Sequence, residues 1–500
     1  MPTPIILAID EGTTNAKAIA VDRQGGILAK AAVPLALYHP RPGWAEQDPM
    51  AIWLAVRQAV EACLAQVPDA RVSAVAVSNQ RESVLIWERA TGLPMTPVVS
   101  WQCRRSQDFC RELAQSEHAA LIYQLTGLPI DPLFPAAKIR GMLASLPRGV
   151  ERAALGELCV GTVDAWLNWQ LTGGRSFSTD YANASRTQLF DIHQRRWDER
   201  LLAIFSIPAA CLPEVKPSAA VHGHIRAGQV PGLAEGIPVA ALIGDSHAAL
   251  YGQGGSQAGD VKATYGTGSS LMLAVDEIGA GGKGLSATLA WHDGEIRYAL
   301  EGNITHTGAG LSWVAQLLGV TSLTRLSEMA LSPAGNQGVF FVPALSGLGA
   351  PYWDSRARGL ICGLTDAATP EVLARAGLES IAYQVADVFF AMERAAGRRL
   401  PALRVDGGAT QNRWLMQFQA DLLQRRLIRN LNAEVSALGA AYLAGRTLGW
   451  WPDNQHIAAL PREVEYIEPR AETAEMRENY ILWQTAVARA RYQPDPPYRE

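Results

Sequence analysis

Three short segments spread along the chain share one grammar: IILAIDEGTTNAK (5–17), VAALIGDSHAAL (239–250) with ATYGTGSS (263–270) close behind it, and LRVDGGATQN (403–412). Each is an apolar run of buried-strand length that stops on an aspartate beside glycine and continues into small or hydroxylated residues. Backbone amides of a Gly/Thr turn at a strand end cradle phosphate oxygens, and a neighbouring carboxylate suits a magnesium ion. Repeated three times in one chain, the pattern points to a nucleotide held between two halves.

At 500 residues the chain exceeds what one hydrophobic core sustains, so two or three domains are expected. With 48% hydrophobic and 18% charged residues it reads as an ordinary globular protein. A net charge of -4 leaves no basic field for nucleic acid or an anionic membrane. The first apolar run is broken by Asp10 and has no basic leader before it. No apolar stretch approaches the ~18 residues a membrane span requires, and a cytoplasmic location is expected. The cysteines (63, 103, 110, 159, 211 and 362) are scattered without a C-x-x-C pair, which fits reduced thiols. Cys103 and Cys110 stand seven residues apart with no further ligand nearby, a poor metal site.

The first thirty residues read as three strands, 5–9, 16–21 and 27–29, with the last following the Gly25-Gly26 turn. A similar series returns at 239–243, 261–265 and 271–275. The expectation is one fold used twice, with Asp10 and Asp245 ending the two opening strands and facing each other across a cleft. Helices lie between: Pro49 opens a run with Trp53, Val56, Val60 and Cys63 on one face. Thr369-Pro370-Glu371 is a helix start, and Ile381, Val385, Val388, Phe389 and Met392 share a face before Gly397 ends the helix. Strands alternating with helices make this an α/β protein. The glycine-rich, nearly uncharged stretch around 250–256 divides it into domains 1–250 and 251–500. The tail from about 455 reads as a packed peripheral helix.

Longer strings carry a family resemblance: PGWAEQDPMAIW (42–53), NQRES (79–83), VSWQCRR (99–105), GTVDAWL (161–167), TDYANASRTQLFDI (179–192), GLGAPYWD (347–354), RVDGGATQNRWLMQFQAD (404–421) and ALGAAYLAG (437–445). From residue 5 to about 450 the chain resembles the FGGY carbohydrate kinases, and among them the glycerol kinases. The resemblance implies two ribonuclease-H-like domains of the actin and sugar-kinase type, with the active site in the cleft between them. It also implies ATP and Mg²⁺, and a small polyol or ketose as the acceptor. Members of the family are commonly dimers or tetramers, so a homo-oligomer is expected.

Carried over residue by residue, the resemblance makes Asp245 the base that takes the acceptor hydroxyl's proton. The same residue also suits the cap of a helix starting at Ser246. Asp10, with Asp245, would organise the metal. Thr13, Thr14 and Lys17 would hold the β- and γ-phosphates, and Gly266 and Thr267 the α- and β-phosphates. Gly308, Ser312, Gly408 and Asn412 would form the adenine site. Arg81 and Glu82 would bind substrate hydroxyls, and Trp101 would pack on the substrate's carbon chain.

Several positions depart from the glycerol kinase pattern. Lys17 replaces an arginine, which keeps the charge but loses the bidentate fork, and Ser312 replaces a glutamine. In the pocket, Leu133 replaces a tyrosine, Ser246 a glutamine and Ser270 a phenylalanine. Lost ring volume and a lost hydrogen-bond partner, worth ~1 kcal/mol or more, predict a pocket enlarged for a four- or five-carbon polyol or ketose. His247 and His306 are candidates to reach extra hydroxyls, or else to be satisfied wall residues. The loop at 227–238 lacks the arginine with which enteric glycerol kinases bind a sugar bisphosphate inhibitor, so that inhibition is not predicted. The rival readings are a glycerol kinase proper and an actin- or chaperone-like nucleotide switch. Arg81, Glu82, Trp101 and Asp245 together argue against the switch.

Overall fold

The computed structural model describes residues 2–278, 284–470 and 473–492. Two mixed sheets form its frame, and both follow one plan. In the first, the order is Gly223–His224, Pro238–Gly244, Ala70–Asn79, Thr3–Glu11, Asn15–Val21 and Ile27–Pro34. The last three form an antiparallel meander. Thr3–Glu11, Ala70–Asn79 and Pro238–Gly244 run parallel, and Gly223–His224 closes the edge antiparallel. The second sheet repeats this order with Val464–Ile467, Arg426–Asn430, Ala402–Asp406, Val261–Tyr265, Ser269–Val275 and Ile296–Ile304, and adds Ser286–His292 beyond the meander.

The repeat is therefore present but framed differently from the expectation. Pro238–Gly244 does not open the second unit; it is a parallel strand of the first sheet, beside Ala70–Asn79. Val261–Tyr265 takes in the second sheet the part that Thr3–Glu11 takes in the first. Asp10 and Asp245 consequently do not face each other across a cleft. Both stand where parallel strands of one sheet end, with Ser78 and Asn79 of the intervening strand between them. At about 4.8 Å per strand, the two positions are on the order of 10 Å apart. An apolar run states that a strand is buried on both faces, but the crossover decides which sheet receives it.

Period-two alternation splits each central strand between two cores. Ile5, Leu7 and Ile9 pack with Ile52, Trp53, Val56, Val60 and Cys63 of the helix Pro49–Leu64. Ile6 and Ala8 face the other way, toward the helix Val435–Thr447, the helix Asp245–Gly252, and Met272 and Ala274 of the second sheet. A helix encoded late thus covers the first sheet. Its crossing with Asp245–Gly252 is tight: a Cβ on Gly439 would overlap the Ala248 carbonyl oxygen and sit 2.6 Å from its carbon. Only glycine permits that approach, and it supports the helix whose first residue is Asp245.

The long helix Pro370–Ala396 is capped by the Thr369 hydroxyl and ends at Gly397 in the left-handed region, φ 62°, as expected. The tail is more than a peripheral helix. Val464–Ile467 adds an edge strand to the second sheet before Ala474–Arg491 buries Trp483, Ala486, Val487 and Ala490. Among the described residues no helix is long and apolar enough to cross a membrane.

Candidate functional site

Where the strand Ala70–Asn79 ends, Arg81 and Glu82 enter the gap between the two sheets. Glu82 has φ 59°, a left-handed conformation that costs a residue with a Cβ on the order of 1 kcal/mol or more. The turn there lets two consecutive side chains join one charged cluster, which a continuing strand would send to opposite faces. Arg81 donates from Nη1 and Nη2 to Glu301 at 3.1 and 2.7 Å, and from Nε to Asp245 Oδ1 at 3.2 Å. Arg186 donates from Nε to Glu82 Oε1 at 2.5 Å, and its Nη2 stands 2.8 Å from Glu301 Oε2. Ser270 donates its hydroxyl to Glu301 Oε1 at 2.9 Å. Burial alone would raise the Glu301 carboxyl, but Arg186 and Arg81 hold it well below the usual carboxylate range.

Neither Glu301 nor Arg186 was singled out from the sequence, and both are fully buried. The signals were there: Glu301 is the lone carboxylate in the apolar strand YALEGNI, and Arg186 lies inside one of the resemblance strings. A lone buried charge needs a partner, but the sequence does not say which one.

Asp245 begins its helix, and its carboxylate also accepts from the amide of Ser246 at 2.6 Å. Burial raises its pKa against the opposing pull of Arg81. Although it lies deep, 39% of its side-chain surface is open to the gap, so solvent tempers the rise. Asp10 accepts from the Ser78 hydroxyl at 2.9 Å and is pushed by burial up to about 6, with Lys17 and that hydrogen bond opposing. Lys17 pairs with Glu434 at 3.0 Å. Lys262, buried one strand-end away from the glycine loop, donates to Thr264 Oγ1 at 2.8 Å and feels both Asp406 and Asp245.

The turn after Asp10 is tied to the pocket wall, because Trp101 Nε1 donates to Thr13 Oγ1 at 3.0 Å. Thr14 is exposed. Lys138, also absent from the sequence reading, is fully buried and donates to the carbonyls of Ser100 at 3.0 Å and Leu133 at 2.8 Å. It thereby holds the Trp101 and Leu133 segments together, and burial lowers its pKa to about 8.

On the second sheet, Gly266 and Thr267 are exposed at the turn between Val261–Tyr265 and Ser269–Val275. The amide of Gly308 donates to the Gly266 carbonyl at 3.1 Å. Gly308 opens the helix Gly308–Leu317, on which Ser312 bonds back to the Gly308 carbonyl at 3.0 Å. Gly408 is exposed with open space where a Cβ would stand. The close approach belongs instead to Gly407, φ 96°, packed on the backbone of Tyr265. Asn412 caps the helix Arg413–Leu423 through its side-chain oxygen. The two histidines divide. His247 is wholly enclosed, with Nε2 3.3 Å from the Thr288 hydroxyl, so it is a wall residue. His306 is partly open beside Thr305 and Ser346.

Two turns of glycine and threonine at matching strand ends of duplicated sheets, with buried carboxylates beside them, define an ATP-dependent phosphotransferase. Residues 5–252 match the N-terminal domain, and residues 261–448 the C-terminal domain, of the FGGY family of carbohydrate kinases. The chain belongs to that family, and it is an ATP-dependent kinase of a sugar or polyol. It is 68% identical to an apulose kinase of Pectobacterium atrosepticum over 495 residues, 99% of this chain and 100% of that one. It is 43% identical to glycerol kinase 2 of Thermotoga maritima, over 97% of this chain and 98% of the relative. Among solved structures, the glycerol kinase of Plasmodium falciparum with ADP superposes at a TM-score of 0.92 with 30% identity, covering 98% of this chain and 99% of that one. A xylulose kinase of Lactobacillus acidophilus shares the fold at a TM-score of 0.86 and 22% identity, covering 97% of each chain.

Proposed function

We propose that this protein transfers the γ-phosphoryl group of ATP to a terminal hydroxyl of a four- or five-carbon ketose or polyol, with apulose the first candidate. One observation carries the reading. Asp245, open to the gap, is bonded to Arg81, and Arg81 is held by Glu301 beside the small polar Ser270. A phenyl ring at position 270 could not make the bond to Glu301 that the serine makes, and the serine keeps this corner of the site small and polar. The 68% identity to an apulose kinase supports the choice of acceptor.

In this site the substrate hydroxyl gives its proton to Asp245 Oδ2 as its oxygen bonds to the γ-phosphorus. The bond to the bridging oxygen breaks, and ADP leaves with that electron pair. Asp245 Oδ1, engaged by Arg81 and the Ser246 amide, is the oxygen that fixes the carboxylate's orientation. Arg81 and Glu82 would orient the acceptor hydroxyls, Trp101 and Leu133 would line its carbon chain, and Ser246 and Ser270 would meet its further oxygens. Thr13, Thr14, Lys17, Gly266 and Thr267 would hold the phosphates, and Gly308, Ser312, Gly408 and Asn412 would receive the adenine.

Asp10 and Asp245 fit Mg²⁺, which takes one or two carboxylates together with phosphate oxygens and water. The two carboxylates sense each other, since the charge on Asp245 adds to the rise of the Asp10 pKa. When bound, the ion neutralises developing charge on the phosphates.

The test is ADP release across ketoses and polyols of three to six carbons, apulose included. The expected result is the highest kcat/KM on a four- or five-carbon ketose. An optimum at glycerol would make the chain a divergent glycerol kinase, the reading favoured by the 43% identity noted above.

A further inference from the structure

The charged cluster has a hub, and the hub is not one of the groups expected to touch substrate. Glu301 lies on the strand Ile296–Ile304 of the second sheet, while Arg81 and Asp245 belong to the first. Its carboxylate receives both Nη groups of Arg81, the Ser270 hydroxyl and the ion-pair contact of Arg186. Arg186 in turn holds Glu82. Among the described residues, every hydrogen-bond or ion-pair route from the second sheet to the pair Arg81 and Glu82 in this cluster therefore passes through one side chain.

We propose that Glu301 is a positioning residue for the acceptor site. It holds Arg81 and Arg186 at the spacing that presents Arg81 and Glu82 to the substrate, and it makes that geometry depend on the two sheets standing together. The inference rests on the proposed function, in which Arg81 and Glu82 bind the acceptor.

The physical case is one of charge and reach. Two fully or nearly buried guanidinium groups converge on Glu301. Without its charge they repel each other, and each loses a charge-assisted partner of a strong class. Arg81, bonded through Nε to Asp245, is then free to swing further onto that carboxylate. Arg186 loses the anchor that keeps its Nε on Glu82. The nucleotide side stands close by, since the Gly266–Gly268 turn runs into the strand that carries Ser270, but among the described residues no side chain of this cluster bonds to Gly266, Thr267, Gly308 or Gly408.

The test is a double-mutant cycle on the intact protein with apulose and ATP. Glu301→Gln keeps the shape and removes the charge; it should raise the acceptor KM at least tenfold while the ATP KM stays within twofold. Arg81→Ala should raise it comparably, and the double variant should be no worse than the poorer single variant, because both changes break one device. Glu301→Asp, which keeps the charge but is too short to span both arginines, should also raise the acceptor KM, and it carries the test should the glutamine variant not fold. An acceptor KM left unchanged by both substitutions, or effects of Glu301→Gln and Arg81→Ala that multiply fully, overturns the proposal. A parallel rise in the ATP KM would also overturn it, as the mark of general loosening. If Arg81→Ala itself leaves the acceptor KM unchanged, it is the reading of the acceptor site that fails.

Discussion

Replacing Gly439 with alanine tests how Asp245 is held. The new methyl would overlap the Ala248 carbonyl oxygen and lie 2.6 Å from its carbon. Carbon atoms rest comfortably at about 3.5 Å, so the helices Val435–Thr447 and Asp245–Gly252 must part by at least about 0.9 Å, and further to clear the oxygen. Overpacking of this kind costs about 1–3 kcal/mol. Helix propensity works the other way, favouring alanine by about 1 kcal/mol, so any net loss has to come from the crossing itself. Asp245 is the first residue of the displaced helix, and an ångström of misplacement at a reacting group can lower turnover about a hundredfold. Urea unfolding and steady-state ADP release measure both effects. The control is Gly141→Ala on the exposed face of the helix Pro135–Ser145, where a Cβ meets nothing within 4 Å; it should stabilise by about 0.5–1 kcal/mol. A Gly439→Ala protein as stable as the parent and with the same kcat would refute the idea that this crossing sets the position of Asp245.

Asp245→Asn should lower kcat by about 10²–10⁴-fold while ATP affinity, read by equilibrium titration, stays near that of the parent; substantial residual turnover would remove Asp245 as the base. Leu133→Tyr combined with Ser270→Phe should shift the ratio of kcat/KM toward glycerol, and an unmoved ratio would discredit the enlarged pocket. His222 is buried between the Ser178 hydroxyl and the Pro217 carbonyl, and burial lowers its pKa from 6.5 to about 3. Its contribution to stability is present above pH 6.5 and is lost as pH falls from 6.5 toward 3, because the unfolded chain takes up the proton first. At 1.36 kcal/mol per pH unit this amounts at most to on the order of 5 kcal/mol. His222→Gln should flatten the stability curve across that window in pH-dependent denaturation, and an unchanged slope would rule the residue out as the cause.

The structure adds contacts at the positions from which the enlarged pocket is proposed. Ser270 could be read only as lost volume; in the structure its hydroxyl is bonded to Glu301. Leu133 likewise looked like a missing phenol, whereas its backbone carbonyl is one of the acceptors held by Lys138. His247 shows the opposite outcome, since its enclosed ring leaves no face for a substrate hydroxyl.

What the sequence by itself determined is whatever near neighbours decide. The start of Pro370–Ala396 follows from a hydroxyl cap and a proline, and its stop from a glycine able to take φ 62°. The strands near the N-terminus follow from apolar runs broken by Gly25-Gly26, and the turns proposed to hold phosphate follow from glycine and threonine at strand ends. Only the tertiary structure decided that Pro238–Gly244 belongs to the first sheet, that Asp10 and Asp245 end strands of that one sheet with a third strand between them, and that Val435–Thr447 covers it. It alone also brought Arg81 to Glu301, 220 residues away in sequence. An apolar run or a lone buried charge demands a partner with an energy that does not depend on where in the chain the partner lies, so the residue types are legible early while the pairing waits for the chain to close on itself.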